Sequence, residues 1–283
     1  MPYKTVKDVD IYYEIHGPSG APPIVFIGGW ASYLWVWFRQ IPAFKYRFRC
    51  VVFDNRGAGR SSKPDNQYTM EMFADDVVGL MEALHIESAH ILGISMGGMI
   101  AQQIAISYPE KVRSLIIVSS NFGGPNAVPM PEKTMALLIA VPTETISKEQ
   151  AREMRFRATF SSQFIKENRS VLEQIEKWMD EYPTPLYAQV RQSSAVAAFE
   201  AENELKQISM PTLILQGDSD IAIPPKNAEL LADSISTSRL VFIEGGSHFS
   251  IIEKYSKFNN EVMSFIDEVE KGQYTPEPKK KTI

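Results

Sequence analysis

Gly93-Ile94-Ser95-Met96-Gly97 decides the fold of this chain, because an apolar run leads into it and a helix-like segment leaves it. The run His90-Ile91-Leu92 is typical of a buried strand, and the residues from Gly98 to Ala105 are typical of a helix. A serine on so tight a turn needs small neighbours, because the strained backbone leaves no room for larger side chains. The pentapeptide therefore predicts a serine hydroxyl exposed at the carboxyl edge of a sheet.

A hydroxyl is a weak nucleophile unless a base takes its proton and a carboxylate orients that base. When the serine lies on a turn between a strand and a helix, the three catalytic residues follow one another along the chain in the order serine, acid, histidine. The sequence has four histidines, and only His248 comes after Ser95. His248 follows the apolar run 240–243 and a glycine-rich turn, which places it at the same edge of the predicted sheet.

The acid has to lie between the serine and the histidine, where four aspartates stand. These are Asp180, Asp218, Asp220 and Asp233. The segment 211–216 reads as a strand that begins with a proline, and the turn at its end contains both Asp218 and Asp220. From the residues alone, both aspartates qualify.

A second motif, Asp54-Asn55-Arg56-Gly57-Ala58-Gly59-Arg60-Ser61, follows the predicted strand 50–53. Together with the serine pentapeptide it resembles the α/β-hydrolase superfamily, in particular the esterase, 3-oxoadipate enol-lactonase and cofactor-free haloperoxidase branches. The resemblance covers nearly the whole chain. It implies an α/β fold with a mainly parallel eight-stranded sheet, helices on both faces and a helical cap inserted after strand 6. It also favours Asp220 over Asp218 as the acid.

An acyl-transfer site also needs N–H donors for the negative charge that develops on the carbonyl oxygen. One donor is expected to be the backbone N–H of Met96, the residue after the serine. The resemblance implies that the backbone N–H of Trp30 is the second. The chain has Gly28 where the superfamily usually has a histidine, so the usual support of this loop is missing.

Apolar runs alternate with helical periods over most of the chain, and this alternation breaks between about Gly123 and Leu205. We therefore predict an α/β-hydrolase core at 1–123 and 206–272 and a helical cap at 124–205. Residues 273–283 lack an apolar period and are predicted to be a flexible tail.

Composition excludes several classes of protein. The 283 residues carry a net charge of −5 and no basic face, so we expect no nucleic-acid partner. No apolar run reaches the roughly 20 residues of a membrane helix, and the start of the chain lacks a signal-peptide core, so a cytoplasmic protein without membrane contact is expected. Cys50 is the single cysteine, which precludes an intramolecular disulfide. No metal-ligand spacing or dinucleotide loop is found, so no cofactor is expected.

The resulting hypothesis is a serine hydrolase that cleaves small to medium apolar acyl esters or lactones, with Ser95, His248 and Asp220 as the catalytic residues. Its partner is a small-molecule ester substrate, and a homo-oligomer is compatible with the sequence. Three alternatives stay open. The first is a proline-iminopeptidase-like enzyme that binds an amino terminus through Glu200, Glu202 and Glu204; the second is a C–C bond hydrolase. The third is a ligand receptor that retains the triad.

Overall fold

A nine-stranded sheet forms the centre of the computed structural model, which describes residues 2–276 and 281–283. The strand order is β1-β2-β4-β3-β5-β6-β7-β8-β9. The first two strands pair antiparallel, β2 pairs antiparallel with β4, and every other pair is parallel. The strands are β1 (Tyr3–Val6), β2 (Val9–His16), β3 (Pro23–Ile27), β4 (Arg49–Phe53), β5 (Ala89–Ile94), β6 (Val112–Val118), β7 (Thr212–Gly217), β8 (Ser238–Ile243) and β9 (Lys281–Thr282).

Helices cover both faces of this sheet. They are α1 (Ile41–Phe44), α2 (Met70–Ala83), α3 (Met96–Ser107), α4 (Glu132–Leu138), α5 (Lys148–Thr159), α6 (Ser162–Glu167), α7 (Arg169–Glu181), α8 (Leu186–Ala198), α9 (Lys226–Ser234), α10 (Ser250–Glu253) and α11 (Tyr255–Glu270). Within the described residues no helix is both long and apolar enough to cross a membrane.

The alternation of side chains along the strands divides the core into two layers. In β3, Val25 and Ile27 face the layer that contains α2 and α3, whereas Ile24 and Phe26 face the layer that contains α1 and α11. Both sets are fully buried, because helices cover a mainly parallel sheet on its two sides. The predicted fold class is confirmed, with nine strands where eight were expected.

Five helices, α4 to α8, lie between β6 and β7 and form the inserted helical segment. Helix α5 begins with a capping box, in which Ser147 and Gln150 satisfy each other's backbone N–H groups. Phe156 and Phe160 from this segment join the same buried layer as α1 and α11. The segment is therefore fixed to the core by apolar contacts as well as by its two chain connections.

The ninth strand comes from residues 273–283, the segment predicted to be a flexible tail, of which residues 277–280 lie outside the described part of the chain. Lys281–Thr282 pairs with β8, and Ile283 both donates to and accepts from the backbone beside it. The hydroxyl of Tyr274 lies 2.9 Å from the backbone oxygen of Thr237. Without these residues β8 would be an exposed sheet edge with unpaired backbone groups, which the tail satisfies.

Candidate active site

Ser95 lies at the junction of β5 and α3 in a conformation that non-glycine residues rarely adopt. Its φ is 57° and its ψ is −122°. The backbone holds this conformation through the Ser95 N–H, which donates to the oxygen of Val118 at 2.9 Å, and through the Ser95 oxygen, which accepts from Ser120 Oγ at 2.8 Å. Within 91–100, Ser95 is the one residue that is not fully buried. The strained turn thus exposes its side chain.

The glycines around Ser95 are required by close backbone contacts. A Cβ at Gly93 would lie 2.0 Å from the oxygen of Gly97, and a Cβ at Gly97 would lie 2.2 Å from the oxygen of Ile27. Any side chain at either position would collide with backbone that cannot move away. The small residues of the pentapeptide therefore allow β5, α3 and β3 to approach one another at the serine.

His248 follows β8, as expected, and its ring is fixed by Asp220. The His248 Nδ1 lies 3.0 Å from Asp220 Oδ2, and both residues are at least 95% buried. Because a carboxylate only accepts, Nδ1 carries the proton and Nε2 presents its lone pair. Among the described residues, neither His248 Nε2 nor Ser95 Oγ has a hydrogen-bond partner.

The structure separates the two aspartates that the sequence left open. Asp220 accepts from His248 through Oδ2 and from the backbone N–H groups of Ala222 and Ile223 through Oδ1, at 2.8 and 2.9 Å. Asp218 instead accepts from the backbone N–H of Gly245 at 2.8 Å, which ties the turn after β7 to the turn after β8. Asp220 is the acid that contacts the histidine, and Asp218 stabilises the loops.

The two expected oxyanion donors have free N–H groups. Met96 is the first residue of α3, so its N–H has no acceptor within the helix. In the described part of the chain, neither this N–H nor that of Trp30 donates to a protein atom. The loop before Trp30 has Gly28 where the superfamily usually has a histidine. It is supported by Asn55, whose Nδ2 donates to the oxygen of Gly28 at 3.0 Å.

Ser95 and His248 line the same cavity, of about 90 Å³, beneath the helical segment. It opens beside a larger cavity of about 380 Å³, and the two share lining residues such as Trp35 and Met179. The inner cavity is mostly apolar. Its apolar side chains include Leu138, Phe156, Phe160, Ile175, Met179 and Phe249. Of the described residues that line it, none is Asp or Glu, and one, Arg155, carries a permanent charge.

No group of three or more His, Cys, Asp and Glu side chains in 2–276 and 281–283 is placed to hold a metal ion. Cys50 is buried inside β4, away from the cavity, and burial raises the pKa of its thiol to about 12. A thiol with that pKa stays protonated and is a poor nucleophile. Among the described residues, three that carry a hydroxyl line the inner cavity, and the hydroxyls of Ser32 and Thr159 donate to backbone oxygens, which leaves Ser95 as the best nucleophile candidate.

Comparison with known proteins agrees with this architecture. Residues 22–255 match the family model of the α/β hydrolase fold. The chain belongs to this family. An α/β hydrolase from Burkholderia xenovorans LB400, an enol-lactonase, superimposes with a TM-score of 0.84 at 27% identity, over 94% of this chain and all of that one.

Two curated relatives of this α/β hydrolase are similar over at least 93% of their lengths. One is 3-oxoadipate enol-lactonase 2 of Acinetobacter baylyi, 27% identical over 91% of this chain and 93% of the relative. The other is RutD of Azorhizobium caulinodans, whose given name describes a carbamate hydrolase; it is 28% identical over 95% of this chain and all of the relative. Each of these names concerns hydrolysis at an acyl carbon.

Sequence reasoning missed the residues that the helical segment brings to the site of this α/β hydrolase. Gln192 from α8 accepts from the backbone N–H of Ala31 at 2.8 Å and donates to the oxygen of Arg56 at 3.0 Å. Trp30 donates from its indole N–H to the oxygen of Gln189. No local pattern marks these contacts, because each joins residues more than a hundred positions apart.

Proposed function

We propose that the protein is a carboxylic ester hydrolase that acts through an acyl-enzyme on Ser95. One observation carries this proposal: a strained, partly exposed serine shares an apolar cavity with a histidine whose Nδ1 is held by a buried carboxylate. The arrangement leaves a hydroxyl and an unprotonated Nε2 facing the same space, which is what proton removal from a serine requires.

In the proposed reaction Ser95 Oγ attacks the substrate carbonyl carbon while His248 Nε2 takes the hydroxyl proton. The resulting imidazolium is stabilised by Asp220, which keeps its negative charge throughout. His248 then gives the proton to the leaving alkoxide as the C–O bond breaks. Water attacks the acyl-enzyme by the same route, with its proton passing to His248 and then to Ser95, and the acid is released.

The oxyanion of each tetrahedral intermediate would accept from the backbone N–H groups of Trp30 and Met96. Within the described part of the chain neither group donates to a protein atom, so both are available to a substrate oxygen. The Met96 N–H lies at the start of α3, where the helix dipole also favours negative charge. The bond from Asn55 to Gly28 holds the Trp30 loop in place.

The apolar lining of the inner cavity supports an apolar acyl group of small to medium size. Two relatives are named as an enol-lactonase and a carbamate hydrolase. Their names support the proposal that Ser95 of this chain attacks the acyl carbon of an ester or lactone substrate. We therefore propose apolar esters or lactones as substrates, hydrolysed in the cytoplasm.

An aminopeptidase is disfavoured by the charge of the cavity. That activity requires a carboxylate near the serine for the substrate's amino group, and Glu200, Glu202 and Glu204 are not among the residues that line the cavity. Glu202 instead accepts from Asn126 at 2.7 Å, and Glu200 forms a backbone bridge with Gly123. The charged residue that does line the cavity, Arg155, would repel an ammonium group.

The test is hydrolysis of 4-nitrophenyl esters with acyl chains of two to eight carbons by the wild type and by Ser95→Ala and His248→Ala. Both variants are expected to lose at least about 10³-fold in kcat/KM, because the residual rate comes from binding and the oxyanion donors alone. Ser107→Ala is the control, because Ser107 lies exposed at the other end of α3 and is expected to leave kcat/KM unchanged.

If Ser95→Ala keeps more than a tenth of the wild-type rate, the proposal is wrong. A folded wild type that hydrolyses no ester or lactone would also contradict it and would favour the receptor alternative. In that case the wild type should gain thermal stability on binding a ligand without turning it over.

A further inference from the structure

Arg155 is the charged side chain that the helical segment places in the proposed catalytic cavity. It lies on α5 and lines both cavities, the inner one with Ser95 and His248 and the larger one beside it. Its guanidinium carbon is 5.8 Å from the ring centroid of Trp30, the residue proposed as an oxyanion donor. Any substrate that reaches the serine from the larger cavity therefore passes this cation.

The hydrogen bonds of Arg155 leave most of its donors unused. Its Nε donates to the oxygen of Ala140 at 3.0 Å, and its Nη2 donates to Gln189 Oε1 at 3.3 Å. Both acceptors are neutral. A guanidinium has five N–H donors, so three remain for a ligand. Among the described residues no carboxylate lies within 4.0 Å of Arg155, although the side chain is half-buried.

The charges around Arg155 are unbalanced. Lys148, Arg152 and Asp180 also line the larger cavity, and both cations pair with the single carboxylate of Asp180. Three cations thus share one anion, and within the described residues Arg155 is the one of the three that pairs with no carboxylate. Burial, and to a smaller extent the charge of Arg152, lower the pKa of Arg155. The protein itself therefore provides an unfavourable environment for this guanidinium, and a bound anion would relieve it.

We propose that Arg155 binds a free carboxylate on the substrate, so that the natural substrates are esters or lactones that also carry an acid group. This inference rests on the proposed ester hydrolysis at Ser95. A guanidinium matches a carboxylate with two parallel N–H···O bonds, and such bonds are strong where water is excluded. The apolar lining would hold the chain between the ester and the acid, and Arg155 would fix the end of that chain.

A purely structural role predicts a different result. Arg155 also connects the end of α4 to α8 through Ala140 and Gln189, so it could act only as a tether within the helical segment. Loss of a tether would slow every substrate alike. Loss of a carboxylate ligand would slow only the substrates that carry the acid.

The experiment compares two matched pairs of esters. The first pair differs on the acyl side, with mono-4-nitrophenyl glutarate against 4-nitrophenyl pentanoate. The second pair differs on the alcohol side, with 4-acetoxybenzoate against phenyl acetate. For each pair, kcat/KM for the anionic ester is divided by kcat/KM for the neutral ester, in the wild type and in three variants. The intrinsic reactivity of the two esters is the same for every protein, so it cancels when the ratios of two proteins are compared.

In Arg155→Met we expect this ratio to fall by about 10- to 100-fold in at least one pair. A loss of this size corresponds to the free energy of one charge-assisted hydrogen bond. The pair that responds shows which side of the ester carries the acid. Arg155→Lys should restore part of the ratio, because it keeps the charge and loses the planar fork. Arg157→Met removes the same charge from an exposed position on α5 and should change the ratio less than twofold.

A ratio that stays within threefold of wild type in both pairs for Arg155→Met would overturn the inference. So would an equal loss for anionic and neutral esters, which is the result of a tether.

Binding of glutarate and of its neutral diamide to Ser95→Ala, measured by calorimetry, provides a readout that needs no turnover. We expect glutarate to bind at least tenfold more tightly than the diamide and to lose this advantage when Arg155→Met is added. Equal binding of the two would contradict the inference. Tight glutarate binding in a Ser95→Ala protein that still hydrolyses esters would retain the Arg155 site and reject the catalytic assignment of Ser95.

Discussion

The two regions that meet at the cavity are built by different means. At the carboxyl edge of the sheet, each candidate catalytic residue follows directly from the strand before it: Ser95 from β5, Asp220 from β7 and His248 from β8. In the helical segment 132–198, Arg155 lines the cavity and Gln192 accepts from the backbone of Ala31, and both positions depend on the packing of helices on the core. At the edge of the sheet, the backbone of the strands and turns places the candidate catalytic residues. In the helical segment, long side chains extend from the helices to the site.

This difference has a physical consequence. Parallel strands end at one edge of their sheet, so short turns after neighbouring strands bring their residues together with little freedom. A helix placed over that edge can shift by a fraction of a turn without breaking its own hydrogen bonds. We therefore expect changes at the edge to act on the chemistry and changes in the helical segment to act on substrate choice and loop support.

The largest effect is expected from the two aspartates of the edge itself. Asp220→Asn should lower kcat/KM by about 10³- to 10⁴-fold, because an amide no longer holds the histidine in the required tautomer and charge. Asp218→Asn should lower it by less than about tenfold, since among the described residues that carboxylate accepts from Gly245 and Ser219 and not from the histidine. Ester hydrolysis by both variants, with thermal unfolding as a folding control, decides between them. A greater loss in Asp218→Asn would reverse the assignment.

The next effect concerns the close backbone contacts of the edge. Gly97→Ala places a methyl group 2.2 Å from the oxygen of Ile27, so we expect it to lower the free energy of unfolding by more than about 3 kcal/mol. Urea unfolding measures this loss. Gly20→Ala is the control, because a Cβ there meets nothing within 4 Å, and its effect should stay within about 0.5 kcal/mol. Similar stabilities for the two variants would show that the turn can relax.

A smaller effect is expected where the helical segment supports the edge. Gln192→Leu removes both bonds of a fully buried amide, to the backbone of Ala31 and Arg56, and should lower the free energy of unfolding by about 1–3 kcal/mol. Because Ala31 follows Trp30, kcat should also fall by about tenfold. Gln163→Leu on α6 removes only an exposed bond to Glu167 and is the matched control. An unchanged kcat would mean that the Trp30 loop does not depend on α8.

The last effect concerns stability and leaves the catalytic site untouched, because it arises at a residue near the start of β5, at the other end of that strand from Ser95. Burial lowers the pKa of His90 to about 4, from an ordinary value of 6.5, while Glu270 opposes this shift. Between pH 4 and 6.5 the unfolded chain binds a proton at His90 that the folded chain does not bind. The part of the free energy of unfolding that comes from the neutral His90 is therefore fully present above pH 6.5 and decreases as the pH falls towards 4. The slope should reach at most about 1.4 kcal/mol per pH unit.

Urea unfolding of the wild type and of His90→Gln between pH 4 and 7 tests this expectation. The wild type should lose more stability than the variant as pH falls over this range. Parallel profiles for the two proteins would mean that other groups cause the acid sensitivity.

The positions of several strands and of the serine turn could be predicted because each depends on neighbours in the chain. The predicted strands 50–53 and 240–243 lie within β4 and β8, and the predicted strand 211–216 overlaps β7. The short strand β9 could not be predicted, because it has no apolar pattern of its own. Lys281–Thr282 pairs with the open edge of β8, and the sequence of the tail does not show that such an edge is available.

The superfamily, the turn that strains Ser95 and the order in which the acid and the histidine follow it could be predicted from the chain alone, because the motifs that indicate them are short and local. The choice of Asp220 rested on resemblance, and the structure supplied the contact to His248 that local pattern could not. The packing of the helices was needed to show that Gln192 holds a loop 161 positions away and that Arg155, in the cavity of Ser95, pairs with no carboxylate among the described residues. Contacts of this kind depend on how whole helices pack on the sheet, and no local periodicity encodes that packing.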